Sequence, residues 1–175
     1  MNLKAQRLLL ALDMAPPGPV AEVGSARYPT EVDSDGFSTV YLARRCRDEG
    51  RLFYSFDKDW EVVKNANAVL QEHGLLPLAV CDDGAVGLAR LAPLALLYLD
   101  GSDDPLEAEA QYRAATFAPG AVVVIDDANS YNGREYGKAD RLYPLLQECG
   151  ASVTIHDTER PANQEPYRML VAVLP

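Results

Sequence analysis

The sequence predicts a three-layer α/β domain, built on a mostly parallel sheet of seven strands that ends in an antiparallel hairpin. Three observations lead there. Short, almost unbroken apolar runs alternate with amphipathic stretches of helical period, the pattern of strands covered on both faces by helices. Several runs end in acid: Glu22 just before Gly24, then Asp57, Asp100 and the pair Asp126–Asp127. The last two runs are joined by a polar loop without a helix, so they pair antiparallel.

The elements follow in order. Leucines at loosely helical spacing over 2–13 predict a helix, broken by Pro16, Pro17, Gly18 and Pro19. Val20 to Val23 is the first strand, and a polar loop over 26–35 leads to a helix that starts near Ser38 and Thr39. Leu52 to Asp57 is the second strand, followed by a helix from Trp60 that stops at His73–Gly74. Leu75 to Val80 is the third, and Pro77 within it argues for an edge position or a later start. A short helix over 84–91, a strand over 94–100 and a helix over 105–117 come next. Pro105 opens that last helix and Pro119–Gly120 lies beyond its end. Val122 to Asp127 is the clearest strand. A helix over 139–149 and strands over 152–156 and 169–174 complete the chain. The 175 residues suit one domain, with 1–17 as an N-terminal helix and linker.

Composition removes several function classes. The formal net charge is −10 and the pI about 4.6, a field that repels nucleic acid and anionic membrane surfaces, so neither is expected as a partner. The longest apolar run, over 91–99, is far short of the roughly 20 residues that span a bilayer. Lys4 and Arg7 before Leu8–Leu12 imitate a signal peptide, but the run is shorter than its apolar region should be and no A-x-A site follows. A helix packed on the domain is the better reading. Cys46, Cys81 and Cys149 are widely spaced and odd in number, without a C-x-x-C pair. They read as buried free thiols in a reducing cytoplasm.

Open parallel sheets bind ligands beyond the carboxyl ends of their strands. The acids at the strand ends, with Asp82–Asp83 after the third strand, therefore gather on one rim. Any single one could be a helix N-cap, and Asp57 is placed to cap the helix that begins near Trp60. Acids at five strand ends on one edge repel one another unless a ribose, an adenine, an ammonium or a metal offsets them.

Several pieces together resemble the class I S-adenosylmethionine-dependent methyltransferases. They are Glu22-Val23-Gly24-Ser25 with Gly36-Phe37-Ser38-Thr39, Phe56-Asp57, Leu99-Asp100-Gly101, the run from Pro119 to Asp127, and the terminal hairpin. The resemblance covers about residues 18 to 174. It implies a Rossmann-like methyltransferase fold and S-adenosylmethionine as cofactor, with a small-molecule acceptor methylated at oxygen. By the same resemblance Gly24, with Ser25, lets the backbone approach the methionine part, and Glu22 lies near its ammonium. Asp57 takes the ribose hydroxyls, Asp83 lies near the adenine amino group, and Asp100 faces the methionine end and the acceptor. Gly36, Ser38 and Thr39 stand where relatives cap the helix beside the cofactor. Eleven residues separate Gly24 from Gly36, where the family's loop is short and glycine-rich. This insertion is a candidate lid or substrate wall, with Arg27, Tyr28 and Asp33 as possible ligand contacts.

Asp100, Asp126 and Asp127 also resemble the three oxygen ligands of the cation-dependent catechol and sugar O-methyltransferases. Oxygen ligands suit Mg²⁺, Ca²⁺ or Mn²⁺, with Asn129 or Asn132 as a supplementary contact. Against a metal, many metal-free relatives also carry an acidic pair there. Relatives often have a histidine after Asp100-Gly101, where this chain has Ser102-Asp103-Asp104. Candidate catalytic residues are Asp100, Asp126 and Lys138, with Tyr131 and Tyr136 as further contacts. His73 reads as a helix-end residue and His156 as a rim or surface residue. A minimal domain of this kind is expected to complete its pocket as a homodimer. Two alternatives stay open: a methyltransferase-like domain that binds without turnover, and a nicotinamide-dependent oxidoreductase. The second lacks the G-x-G-x-x-G it would need after the first strand.

Overall fold

The computed structural model describes residues 3–27, 37–129, 135–158 and 167–175. Most of the loop over 26–35, with Tyr28, Asp33 and Gly36, lies outside the described residues, as do Tyr131 and Asn132. Seven strands form one sheet in the order β3-β2-β1-β4-β5-β7-β6. They are β1 Val20–Val23, β2 Phe53–Asp57, β3 Ala79–Cys81, β4 Leu94–Leu99, β5 Phe117–Ile125, β6 Ser152–Thr158 and β7 Tyr167–Val173. The first five run parallel, while β7 is antiparallel to both β5 and β6. The chain moves outward from β1 through β2 to β3, then returns to place β4 on the other side of β1. The β1–β4 boundary is thus the topological switch point, where parallel sheets open a crevice at their carboxyl edge.

The two-residue strand period sorts side chains to two faces. Val20, Leu96, Tyr98, Val122 and Val124 pack beneath α1 Leu3–Met14, α2 Ser38–Glu49 and α3 Trp60–Glu72. Ala21, Val23, Leu97, Leu99, Val123 and Ile125 face α4 Gly84–Leu88, α5 Pro105–Ala114 and α6 Leu142–Glu148. All six residues of β4 are buried, which explains their unbroken apolar character. Glu22 pairs with Ser55 on one side and Tyr98 on the other. The same parity that sends Val20 toward α2 therefore sends this carboxylate there too.

Most elements lie where the sequence places them, but several boundaries differ. β3 is the sheet edge and starts at Ala79, two residues past Pro77, so both expectations from that proline hold. The Asn67 side chain bonds both backbone groups of Ala79 at 2.9 Å and fixes this short edge. α5 ends at Ala114 rather than 117, because Phe117 joins the sheet opposite Leu94 and the Leu94 N–H bonds Thr116 O at 2.8 Å. Pro119 and Gly120 then sit inside β5, beside a register shift against β4, instead of behind a helix. The last helix starts at Leu142, preceded by a single 3₁₀ turn over Gly137–Ala139. Cys46 is buried as expected, but Cys81 and Cys149 are exposed free thiols. No helix of the described residues is long and apolar enough to cross a membrane.

Two glycines in the left-handed region make a controlled comparison. Gly24 has φ +96, and a Cβ there would lie 2.6 Å from the Asp100 carbonyl carbon and from Gly101 N and Cα. Gly50, with φ +68 at the end of α2, has nothing within 4 Å of the same position. Gly50→Ala is expected to cost about 1 kcal/mol through backbone strain alone. Gly24→Ala adds a backbone collision and is expected to cost ~2–4 kcal/mol. Thermal melting checks this: Gly24→Ala should lower Tm by about 5–15 °C, clearly more than Gly50→Ala.

Candidate functional site

Two hollows meet at the β1–β4 switch point. β1 leads into Gly24, whose N–H bonds Phe56 O at 2.8 Å, and β4 leads into Asp100, whose N–H bonds Val23 O at 2.8 Å. Gly24 and Gly101 line both hollows and form the ridge between them. The larger, about 280 Å³, has Ser25, Ser38, Asp100, Asp127, Lys4 and Lys138 in its walls, with Arg27 at its rim. The smaller, about 40 Å³, lies toward β2 and β3 and is bordered by Phe56, Asp57, Asp83 and Glu107. An apolar cavity of about 420 Å³ also opens at the opposite, amino end of β2 among Leu52, Phe53, Leu75 and Leu76. Despite its size, it has no converging acids.

At the smaller hollow, Asp57 Oδ1 accepts from Asp59 N at 2.9 Å and Oδ2 from Ser25 N at 3.2 Å. Each oxygen keeps a further lone pair for a ligand hydroxyl. The N-cap of α3 is Asp59, which accepts from Glu61 N, so Asp57 does not serve that structural role. Asp83 caps α4 with one oxygen, accepting from Ala85 N and Val86 N, and borders the same hollow.

Glu22 needs correcting. Its carboxylate is wholly buried and borders neither hollow, so it cannot meet a ligand's ammonium from there. It lies under the loop and accepts from three hydroxyls: Ser38 Oγ at 2.5 Å, Thr39 Oγ1 at 2.7 Å and Ser55 Oγ at 2.8 Å. Ser25 Oγ extends the network to Ser55 Oγ at 2.7 Å, and Thr39 Oγ1 accepts from Ala26 N at 2.9 Å. Ser38 and Thr39 thus open α2 without capping it, since no side chain bonds the helix end at Phe37. Ser38 also reaches the larger hollow, whereas Thr39 is fully enclosed. Burial pushes the Glu22 carboxyl up to about 7 against the pull of the three donors.

The acids at the other end form a compact charged centre. Asp100, Asp126 and Asp127 each bring one oxygen to within 4.8 Å of the others. Lys4 from α1, 8% exposed, meets two of them, bonded to Asp126 Oδ2 and, at 3.3 Å, to Asp100 Oδ2. Lys138, 3% exposed on the 3₁₀ turn, lies 3.4 Å from Asp100 Oδ1 and 3.8 Å from Asp103. Tyr98, fully buried on β4, donates to Asp126 Oδ2 at 2.9 Å and lies 3.2 Å from Asp100 Oδ2. Burial works against the Asp100 carboxylate, but the Lys4 and Lys138 ammonium groups outweigh it and hold its pKa below the usual value. Asp126 goes the other way: burial, then the Asp100 charge, raise it well above the usual value. Asp127 is raised by burial too and stands at φ 44, a conformation Asp tolerates better than most residues. Asp126 borders neither hollow, so its contact is with Lys4 and Tyr98 and not with a ligand.

A divalent ion does not fit this centre as it stands. Lys4 already bonds Asp126 and lies 3.3 Å from Asp100, two of the three acids, so an ion would have to compete with its ammonium. Asn129, a candidate supplementary contact, instead accepts from Arg168 N at 2.7 Å and ties the β5 loop to β7. His73 ends α3 and packs its ring edge-on to Phe37 at 5.3 Å. His156, on β6, borders neither hollow, and burial followed by the Arg7 charge lowers its pKa. Tyr136 stacks on Tyr143 at 4.2 Å.

Lys4 and Tyr98 are the site residues that sequence reasoning missed. Both left a signal. Lys4, Leu8, Ala11 and Leu12 stand at i, i+4, i+7 and i+8, so the lysine lies on the buried stripe of its helix. Tyr98 is a phenol in a strand buried on both faces, where its O–H requires a partner.

No protein-family model matches the sequence, and no curated protein matches it. Solved structures do match. Cofactor-bound Rv0187 from MTB aligns with a TM-score of 0.71 at 22% identity, over 98% of this chain and 78% of that one. The O-methyltransferase from Bacillus cereus in complex with SAH gives 0.66 at 17% identity, over 98% and 80%. An rRNA methylase from Streptococcus thermophilus gives 0.68 at 11%, over 97% and 95%. The chain therefore has the class I methyltransferase fold that its sequence resembles. The rRNA methylase shows that this fold is not confined to small acceptors.

The buried Glu22 makes stability depend on pH. Unfolded, the group ionises near 4.5; folded, it holds its proton to about 7. Its contribution is fully present below 4.5 and is lost as pH rises to 7, by roughly 3 kcal/mol. Glu22→Gln should flatten this part of the profile, read as urea unfolding free energy at pH 4.5, 6 and 8. A variant whose profile matches the wild type would refute the assignment.

Proposed function

We propose that the protein is an S-adenosylmethionine-dependent methyltransferase acting at oxygen on a small-molecule acceptor. The observation that carries this reading is the pair of hollows joined at Gly24 and Gly101 on the switch point. One side has carboxylates for a nucleoside, the other has charged side chains for an amino acid. A ligand spanning both must cross the ridge where no side chain stands, which is where Gly24 and Gly101 lie.

The cofactor supplies a methyl group already activated on a sulfonium. What the chain supplies is alignment and proton handling. Asp57 holds the two ribose hydroxyls through the lone pairs its backbone bonds leave over, and Asp83 lies beside the adenine. Gly24 and Ser25 let the backbone approach the methionine part, Asp100 takes its ammonium, and Ser38 borders the same space. Glu22 acts from beneath, tying Ser38 and Ser55 into one network that holds Ser38 at the border of that space. Lys138 orients the acceptor hydroxyl, and Asp127, on the wall of the larger hollow with a carboxyl raised by burial, takes its proton.

A hollow of about 280 Å³ that must also admit the methionine part favours a compact acceptor. The net charge of −10 opposes a polynucleotide. Calorimetry with S-adenosylhomocysteine tests the reading. We expect micromolar binding, weakened about tenfold or more by Asp57→Asn, which removes a charge-assisted contact. Absence of heat at millimolar ligand would end the proposal. Lys138→Met is expected to keep that affinity while lowering turnover about 100-fold on any acceptor found. An equal loss of binding would place Lys138 in the donor site instead.

A further inference from the structure

The acidic centre beside the larger hollow poses a problem of charge. Three carboxylates bring oxygens within 4.8 Å of one another, and Asp126 has no exposed surface. Oxygen donors at this spacing suit Mg²⁺ or Mn²⁺. Here the positive charge is already present, on a side chain. Lys4 bonds Asp126 Oδ2 and approaches Asp100 Oδ2 to 3.3 Å. It is held there by its own helix, because Leu8, Ala11 and Leu12 on the same stripe are fixed in the core. On the far side of Asp100 stands a second ammonium, that of Lys138.

We infer that Lys4 is a tethered cation: its ammonium fills the seat that a divalent ion would occupy among Asp100, Asp126 and Asp127, so the centre is complete without metal. An ammonium and a metal ion cannot share this space. Their like charges repel, and Lys4 already engages oxygens of two of the three acids. Lys4 also makes α1 part of the centre, since the charge arrives only when that helix docks. The inference does not depend on methyl transfer, because cation binding is measured without turnover.

The test is a Mn²⁺ titration of the full chain, with free Mn²⁺ read by electron paramagnetic resonance. Wild type is expected to bind none at this centre up to about 1 mM, so Asp126→Asn should leave its weak surface binding unchanged. Lys4→Met keeps the aliphatic stem and removes the charge. It should gain one site at least about tenfold tighter, and adding Asp126→Asn should abolish that site. Should Lys4→Met fail to fold, Lys4→Gln carries the same expectation, and circular dichroism establishes which variants are folded. One tight Mn²⁺ on wild type that Asp126→Asn removes would overturn the inference. So would a folded Lys4 variant that binds no more Mn²⁺ than wild type.

Discussion

Gly24 lies against the backbone of Asp100 and Gly101 with no room for a single carbon between them. This crossing fixes the carboxyl edge of the sheet. It brings the loops after β1 and β4 together at the boundary where the chain first reverses its direction of travel across the sheet. A side chain there would push them apart and separate Asp57 from Asp100. Only backbone can fill the ridge, so the floor of both hollows is made of peptide groups whose positions β-pairing already sets. That rigidity costs nothing when a ligand arrives, which is the physical meaning of a preorganised site.

Below this ridge the fold tolerates two wholly buried carboxylates, Glu22 and Asp126, and it handles them differently. Glu22 is surrounded by neutral hydroxyls, and no side-chain ion pair meets it among the described residues. Asp126 is met by Tyr98 and by the charge of Lys4. The first arrangement leaves the acid close to its neutral form near pH 7; the second builds a charged cluster. Replacing such groups by apolar ones would often stabilise a protein, so their presence is better explained by position than by stability. Glu22 fixes Ser38, Thr39 and Ser55, and through Ser55 reaches Ser25, while Asp126 sets Lys4 and Tyr98 behind Asp100.

The sheet was legible because its strands are buried on both faces: β4 and the end of β5 have no polar face to blur their apolar runs. The hairpin was legible from a missing helix. Harder to read was anything that depends on pairing. Phe117 looks helical until Leu94 is known to lie opposite it, and β5 therefore starts earlier than local pattern suggests. Glu22 looks like a ligand-facing acid because it precedes a glycine at a strand end. Its direction is decided by a two-residue parity that one strand of four residues states only weakly. Lys4 was hidden by convention, since a lysine near a helix start is usually solvated, and its partners are about 96 and 122 residues away.

The crowd of acids on the rim suggested that some bound cation or polyol must offset them. The structure divides that crowd. Asp100 is met by Lys4 and Lys138, and Asp82 by Arg90 at 2.8 Å. Asp126 shares Lys4. Asp57 and Asp83 differ from these: among the described residues their carboxylates bond only backbone N–H groups. The repulsion argument therefore fails where the acids are densest, because the chain supplies its own cations there. It survives in part at the smaller hollow, where Asp57 and Asp83 border a space whose wall lysine, Lys58, is paired with Glu107 instead. Such oxygens accept hydrogen bonds from ligand hydroxyl and amino groups. The residues proposed to hold a nucleoside on that side are thus ones whose capacity the fold leaves unspent.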